Sequence, residues 1–221
     1  MAISISNHQV PYNTHDYFDV TFSNDTILTL VTHTPSYVDM WISDIERIHR
    51  HRLHSLVVGL DIEWRPSFNR NIQNPVATLQ LCVGRRCLIF QLLHAPSIPQ
   101  SLVNFLRNPN YTFTGVGIES DVEKLVDDYN LGVERMEDLR TLAAEAYGEW
   151  ELKNGGIKSL AERVLGKEVN KPKWVTMSKW DQQWLKPAQV QYACVDAFLS
   201  FEIGFVFTRR SCLGFGTVDL L

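Results

Sequence analysis

The sequence predicts an α/β protein in which helices pack against a mixed β-sheet. Two observations support this prediction. The first is a succession of strand-like apolar stretches joined only by loops, residues 57–64, 76–83 and 87–92. Consecutive strands joined in this way predict an antiparallel meander. The second is a change in the spacing of apolar residues. After these stretches they recur three and four positions apart, which is typical of helices. Helices are predicted over residues 99–106, 119–129, 137–147, 157–165 and 187–208.

A further strand is predicted over residues 111–116, after the first of these helices. A strand that is reached through a helical crossover runs parallel to a neighbour. The expected sheet is therefore mixed, with an antiparallel part followed by a parallel part.

The composition is that of a globular protein, with 45% hydrophobic and 21% charged residues. The net charge of −4 argues against a general electrostatic attraction to nucleic acid, although charge can be unevenly placed. The four cysteines form no C-x-x-C pair, and the first residues do not resemble a secretory signal. The apolar run 199–207 is too short to span a bilayer. We expect an intracellular protein of the nucleus or cytoplasm, with no membrane segment.

The chain is expected to have one main domain, residues 56–210, with an extension before it and a tail after it. In the extension, residues 1–55, the first dozen residues are polar and are expected to be loose. A hairpin is then predicted around Ser23-Asn24-Asp25, and Thr34-Pro35 predicts the start of a helix. We expect the extension to pack on the main domain. It and the tail, residues 211–221, are candidate contacts for a homo-oligomer.

Two carboxylates stand at the end of the strand 57–64. Strand side chains alternate, so Asp61 and Glu63 share one face, whereas Leu60 and Trp64 share the other and are expected to pack behind the strand. Like charges side by side repel, and burial removes the water that stabilises them. A divalent cation held by carboxylate oxygens would relieve both costs. The alternative is an edge strand whose acidic end lies in water.

Polar residues on two predicted helices are candidates to join this pair. Tyr192 and Asp196 lie one turn apart, at the edge of the apolar stripe of the last helix. A charge there needs a partner, which could be Tyr192, a lysine or a metal ion. Asp121 flanks the apolar face of the helix 119–129, but Glu119 flanks its other side, and spacing alone does not choose between them. An exposed acid near a helix N-terminus would also explain Asp121.

Basic residues concentrate in residues 151–186, which carry eight Lys and Arg, including Lys171 and Lys173, against four Asp and Glu. The local balance of +4 leaves −8 for the rest of the chain. This segment is either a solvated surface or a flank that contacts phosphates. Three histidines also cluster within residues 49–54, but the arginines between them indicate an exposed basic helix end rather than a metal site.

Five segments resemble, in order, those of the DEDDy branch of the DnaQ-like 3′–5′ exonucleases. Within that branch the fuller resemblance is to the Werner-syndrome-type exonuclease domain. The segments are GLDIEWRP (59–66), PVATLQLCVGRRCLIF (75–90), GVGIESDVEKL (115–125), KSLAERVLGKEV (158–169) and SKWDQQWLKPAQVQYACVDAF (178–198). Separate motifs agree in residue type and spacing, so the resemblance is specific.

The resemblance implies an RNase H-like fold, with a five-stranded mixed sheet and helices on both faces. It implies that Asp61, Glu63 and Asp196 hold one divalent ion, and that Asp61 and Asp121 hold a second. Tyr192 would orient the attacking water, and its presence in place of a histidine points to the tyrosine subgroup. The ions would be Mg²⁺ or Mn²⁺, which prefer oxygen ligands and in two-metal sites stand roughly 4 Å apart.

The function that the resemblance implies is hydrolysis of DNA from its 3′ end, with release of nucleoside 5′-monophosphates. Nucleic acid is then the expected partner, DNA rather than RNA. Two alternatives stand beside this interpretation. One is an exoribonuclease similar to RNase D, and the other is a catalytically silent module that binds nucleic acid or assembles with other proteins.

Overall fold

The structure, a computed structural model, describes residues 3–9, 13–67, 69, 73–170 and 172–212. Residues 213–221 of the predicted tail and Lys171 lie outside the described residues. Eight strands form one sheet: β1 (Ile3–Asn7), β2 (His15–Phe22), β3 (Asp25–Thr32), β4 (Leu56–Trp64), β5 (Val76–Val83), β6 (Arg86–Phe90), β7 (Tyr111–Gly115) and β8 (Met136–Asp138). Their order across the sheet is β1-β2-β3-β6-β5-β4-β7-β8.

Seven α-helices lie in the described part of the chain: α1 (Pro35–Ile48), α2 (Gln100–Leu106), α3 (Ile118–Tyr129), α4 (Leu139–Tyr147), α5 (Ile157–Leu165), α6 (Lys173–Thr176) and α7 (Pro187–Cys212). Short 3₁₀ helices occupy Leu53–Ser55, Leu92–His94 and Trp150–Asn154. The α/β class predicted from the sequence is confirmed.

The sheet is mixed in the predicted way. The strands β4, β5 and β6 form an antiparallel meander, and β7 lies parallel to β4. Neighbouring residues of β7 contact helices on opposite faces, since Phe113 packs edge-on against Phe105 of α2 and Thr114 donates a hydrogen bond to the carbonyl of Ser200 in α7. Helices therefore cover both faces of the sheet.

The strand count differs from the predicted five. Five strands, β6-β5-β4-β7-β8, are followed at the β6 edge by three more from the N-terminal residues. The strand β3 pairs in parallel with β6, which attaches the predicted hairpin to the sheet. The first residues were expected to be loose, and this was wrong for β1. Ile3 and Ile5 alternate and pack against the core, so this segment pairs with β2.

The eighth strand lies at the start of the predicted helix 137–147. Met136–Asp138 pair in parallel with β7, and α4 begins only at Leu139. Asp138 ends the strand and caps the helix, because its side chain accepts a hydrogen bond from the backbone N–H of Arg140. This strand has three residues, too few to produce a recognisable alternation in the sequence.

Helix α7 lies directly across the backbone of β4, and glycine permits this approach. A β-carbon built at Gly59 would lie 2.5 Å from the backbone nitrogen of Phe201 and closer still to the carbonyl oxygen of Ala197. Both are backbone atoms, which cannot move aside as a flexible side chain can. Because Gly59, Asp61 and Glu63 alternate onto the same face of β4, the helix also faces the two carboxylates.

Helix α7 owes its apolar composition to the core. By length and composition, Pro187–Arg209 is apolar enough to cross a bilayer, but 72% of its most apolar stretch is buried inside the protein. Residues such as Phe198, Leu199 and Ile203 are fully or almost fully buried. A helix in the centre of a globular core passes the same test, because it is apolar on most sides.

Substituting Gly59→Ala is expected to lower the free energy of unfolding by about 3 kcal/mol, because overpacking against backbone forces strand and helix apart. Gly132→Ala is the matched control, since a β-carbon there meets no atom within 4 Å. Urea denaturation of both variants checks the prediction. Equal midpoints for the two variants would show that α7 does not depend on this contact.

Candidate active site

Three carboxylates predicted from the sequence converge on one point. Asp61, Glu63 and Asp196 each offer an oxygen atom, and these atoms all lie within 4.8 Å of one another. Asp196 is only 6% exposed, whereas Asp61 and Glu63 are half-buried. Three carboxylates at this separation repel one another in the absence of a cation.

The convergence follows from the packing of β4 against α7. Asp61 and Glu63 are two residues apart on the face of β4 that α7 covers, just beyond Gly59. Asp196 directly precedes Ala197, whose carbonyl oxygen closely approaches Gly59. The distance of more than 130 residues along the chain is thus closed by a single helix–strand contact.

Tyr192 lies one turn before Asp196 on α7, and both side chains line the same cavity. The hydroxyl of Thr176 donates a hydrogen bond to the hydroxyl oxygen of Tyr192 at 3.2 Å. The ring of Tyr192 packs edge-on against the buried Trp180, with 6.0 Å between ring centroids. The phenol is therefore fixed next to the acidic group by both its ring and its hydroxyl.

Asp121 lies outside the group of three, in the first turn of α3. Burial, together with repulsion from Asp138, raises the pKa of Asp121 to about 7, against a lesser opposing effect of Arg140. Glu119, the alternative that spacing left open, is exposed in the same turn. The structure thus distinguishes the two acids by burial, and the role of Asp121 as a metal ligand stays a prediction.

An ion pair beside Asp121 links the start of α3 to the start of α4. Arg140 donates hydrogen bonds to both carboxylate oxygens of Asp138, and the backbone N–H of Gly117 donates to the same carboxylate at 3.0 Å. Although burial opposes ionisation of Asp138, the hydrogen bonds from Arg140 lower its pKa. Asp138 therefore ionises at a lower pH than Asp121 does.

A cavity of about 130 Å³ adjoins the acidic group on the α6 side. Apolar residues form most of its wall, including Val169, Val175 and Val195, and Trp174 stands at its rim with 61% of its surface exposed. The sequence reasoning missed this cavity. The signal that could have found it is the interleaving of tryptophan with lysine after residue 172.

The loop between α6 and α7 is anchored over the end of β4. Asp181 forms an ion pair with Arg65, with 2.8 Å between the charged atoms. Arg65 lies two residues after Glu63 in the chain. The side chain of Gln91 donates to the carbonyl of Gln183, and the ring of His94 is hydrogen-bonded to the carbonyl of Asp181. The loop is thus attached both to the end of β4 and to the segment after β6.

Part of the basic segment 151–186 is neutralised within the protein. Arg163 pairs with Glu149 at 2.6 Å, and Lys167 pairs with Asp25 at 3.1 Å. Lys173, at the start of α6, is exposed. Only some of these charges are therefore available to a phosphate.

Two other expectations about this region have different outcomes. Leu60 is buried behind β4 as predicted, but Trp64 is 37% exposed. The pairing register shifts between Glu63 and Trp64, so the strand leaves the regular sheet there, and Lys124 lies over the Trp64 ring. Within the described ranges, no group of three metal-ligating side chains includes the histidines of residues 49–54.

The three converging carboxylates fit a divalent cation. Their donor atoms are all carboxylate oxygens, the ligands that Mg²⁺ and Mn²⁺ prefer, and no cysteine or histidine belongs to the group. The side chains approach from two elements, β4 and α7, whose mutual packing positions the carboxylate oxygens.

Comparison with known proteins assigns the chain to a protein family. The profile of the 3′–5′ exonuclease family matches residues 39–209. The chain belongs to the 3′–5′ exonuclease family. The matched region includes the acidic group, Tyr192 and Asp121, and it begins within α1.

The family relatives include longer proteins. An Arabidopsis thaliana protein named 3′-5′ exonuclease is 38% identical over 148 residues, which cover 66% of this chain and 50% of that protein. The Mus musculus protein named bifunctional 3′-5′ exonuclease/ATP-dependent helicase WRN is 36% identical over 148 residues, covering 66% of this chain and 10% of the relative. The chain thus matches half or less of the length of these relatives.

Solved structures of similar fold confirm the RNase H-like class. The EXO domain of Aedes aegypti Nibbler matches with a TM-score of 0.65 and 17% identity, covering 83% of this chain and 89% of that domain. RNase D of Escherichia coli, described as an exoribonuclease involved in structured RNA processing, matches with a TM-score of 0.61 and 20% identity, covering 80% of this chain and 44% of RNase D. At these identities the likeness is one of fold.

The raised pKa of Asp121 predicts a pH-dependent stability in the metal-free protein. Between its ordinary value of 3.8 and about 7, Asp121 is ionised in the unfolded chain but protonated in the folded one. The folded state binds more protons, so the free energy of unfolding falls as the pH rises through this range and this contribution is lost above it. Asp121→Asn removes the effect, so its stability relative to the wild type increases from about pH 4 to about pH 7.

Urea denaturation in the presence of chelator, from pH 4 to pH 8, measures this difference. Asp127→Asn, an exposed acid on the same helix, is the control and should follow the wild-type pH profile. Parallel profiles for the wild type and Asp121→Asn would contradict the assignment.

Proposed function

We propose that this protein is a metal-dependent 3′–5′ exonuclease that hydrolyses DNA from its 3′ end and releases nucleoside 5′-monophosphates. The observation that carries the proposal is the convergence of Asp61, Glu63 and Asp196, from separate parts of the chain, within 4.8 Å. Membership of the 3′–5′ exonuclease family supports it. A silent module would not need three carboxylates held together against their mutual repulsion.

The proposal assigns a task to each polar residue of the site. Asp61, Glu63 and Asp196 hold one divalent ion, and Asp121 completes a second site together with Asp61. When bound, a pair of such ions supplies an activated water and stabilises the departing 3′-oxygen. The burial of Asp196 excludes competing water molecules from that side.

Tyr192 is proposed to position the attacking water through a hydrogen bond. A phenol ionises near pH 10, so at neutral pH it is a weak base and an effective donor. Thr176 donates to the phenol oxygen, and Tyr192 lines the same cavity as Asp196. The contact of the ring with Trp180 holds the Tyr192 side chain in place there.

DNA is proposed rather than RNA because the segments of the sequence resemble those of the Werner-type exonuclease domain, and the mouse WRN relative is 36% identical. The likeness to RNase D, at 20% identity, is one of fold and does not select a substrate. The decisive assay uses a 3′-recessed DNA duplex and a single-stranded RNA, both labelled at the 5′ end. Each is incubated with Mg²⁺, Mn²⁺ or chelator, and laddering of the DNA alone in the presence of metal is expected.

The substitutions Asp61→Asn and Asp196→Asn are expected to reduce kcat by at least about 1,000-fold, because the metal site supplies several kcal/mol of transition-state stabilisation. The asparagine side chain has the same shape, so the fold should be kept. Glu145→Gln, which changes an exposed acid on α4 outside the site and its cavities, is the control and should retain wild-type activity. Laddering by either site variant at the wild-type rate would show that the site is elsewhere.

The substitution Tyr192→Phe is expected to lower kcat by about 100-fold, the cost of misplacing a reacting group. It should leave the affinity for Mn²⁺ unchanged, since the phenol is not a proposed ligand. Titration with Mn²⁺, followed by thermal unfolding, separates the two effects, and Tyr37→Phe on α1 is the control. Unchanged kcat in Tyr192→Phe would exclude the positioning role.

A further inference from the structure

Residues 173–186, here called the stacking segment, expose large apolar side chains, and one of these, Trp174, lines the same cavity as Asp196. Trp174, Met177 and Trp184 are 61%, 53% and 53% exposed. Single exposed apolar side chains are common in soluble proteins, whereas several close together mark a site that binds a ligand or partner. Three of them within eleven positions of one segment therefore indicate a binding surface.

The stacking segment is held firmly against the site. Val175 and Trp180 are buried and anchor it to the core. Thr176 is hydrogen-bonded to the hydroxyl of Tyr192, and Asp181 is paired with Arg65 near the end of β4. The exposed tryptophans are thus presented on a fixed support, and Trp174 shares the cavity with Asp196.

Charge on the stacking segment favours a polyanion. Lys173, Lys179 and Lys186 are exposed, and within the described residues none of them forms an ion pair. Alternation of aromatic and basic side chains is typical of surfaces that bind single-stranded nucleic acid, where bases stack on rings and lysines follow the backbone. A second copy of this chain, with a net charge of −4, offers no exposed bases to stack.

A groove near the end of β4 has a different character. The groove has a volume of about 430 Å³ and is lined by three acids, Glu123, Asp127 and Asp128, and by two basic residues. Of the basic residues, Lys124 pairs with Asp128 and Arg65 pairs with Asp181. Phosphates approaching through this groove would be repelled. The substrate strand is therefore directed along the stacking segment.

We infer that the stacking segment binds the single-stranded 3′ end of the substrate, and that Trp174 stacks on a nucleobase next to the scissile phosphate. The apolar wall of the adjoining cavity suits the face of a base, and Asp196, which lines the same cavity, belongs to the group of three carboxylates that would hold the cation. Trp174 is a positioning residue, which acts by fixing the strand. The inference rests on the proposed exonuclease function and specifies that the last nucleotides of the 3′ end are unpaired when they enter the site, including those of a recessed end that frays from its duplex.

Binding is measured first, in chelator, so that no cleavage occurs. The probes are a fluorescein-labelled twelve-residue oligothymidylate, a duplex with a 3′ overhang and a blunt duplex. Trp174→Ala is expected to weaken binding of the oligothymidylate by about 5- to 100-fold, the range for removing one base–aromatic stack. Trp174→Phe should recover most of this loss. Trp150→Ala is the matched control, since Trp150 is 62% exposed but lies in a 3₁₀ helix away from the cavity.

Tryptophan fluorescence gives a signature that a purely structural role would not produce. Unlabelled oligothymidylate is expected to quench the emission of the wild type and of Trp150→Ala, and to quench Trp174→Ala much less. The wild type should prefer the overhang to the blunt duplex, and Trp174→Ala should lose this preference. In Mg²⁺, kcat/KM on the overhang should fall with the binding loss, whereas kcat at saturating substrate should change little.

The outcomes separate this inference from the proposed function. If the wild type degrades the overhang but Trp174→Ala binds and quenches as Trp150→Ala does, the stacking inference is overturned and the exonuclease stands. If the wild type binds and is quenched through Trp174 but never shortens the strand, the exonuclease proposal fails and the stacking inference holds. If the substitutions change only the oligomeric state in sedimentation, the segment is a protein interface and the inference is wrong.

Discussion

The close contact between β4 and α7 is the constraint on which the rest of the structure depends. It requires glycine at position 59, where any side chain would meet the backbone of Ala197 and Phe201. Since side chains alternate along a strand, this contact directs Asp61 and Glu63 towards the helix. Asp196 precedes Ala197, so the packing that forms the core also assembles the carboxylates.

This packing holds together charges that repel one another. The carboxylates of the group gain nothing from proximity alone, so the surrounding core must supply the free energy that keeps them there. Asp121 shows the same cost on a neighbouring helix, where burial and the charge of Asp138 raise its pKa to about 7. A cation reverses the sign of these interactions. The arrangement of carboxylates is therefore electrostatically favourable in the metal-bound protein.

Two surfaces near the site are chemically unlike. On one surface Glu123, Asp127 and Asp128 line a groove that disfavours phosphates. On the other, Trp174 and Trp184 are exposed beside lysines that phosphates would attract. The buried Trp180 and the ion pair of Asp181 with Arg65 fix the second surface in place.

The sequence by itself determined the helices other than the four-residue α6, the meander, the parallel strand β7 and the candidate carboxylates, because period and residue type are local properties. The sequence placed Asp61 and Glu63 on one face of a strand. It could not choose between Asp121 and Glu119 as a candidate ligand, because the difference between them is that Asp121 is the more buried in the folded protein. It also missed β1 and β8, whose short stretches pair only because an existing sheet edge receives them. The tertiary structure decided that Trp64 is exposed, that Lys167 forms an ion pair with Asp25, and that Trp174 lines the cavity next to Asp196. Each of these depends on which distant segment packs against the residue, and that information is absent from local sequence.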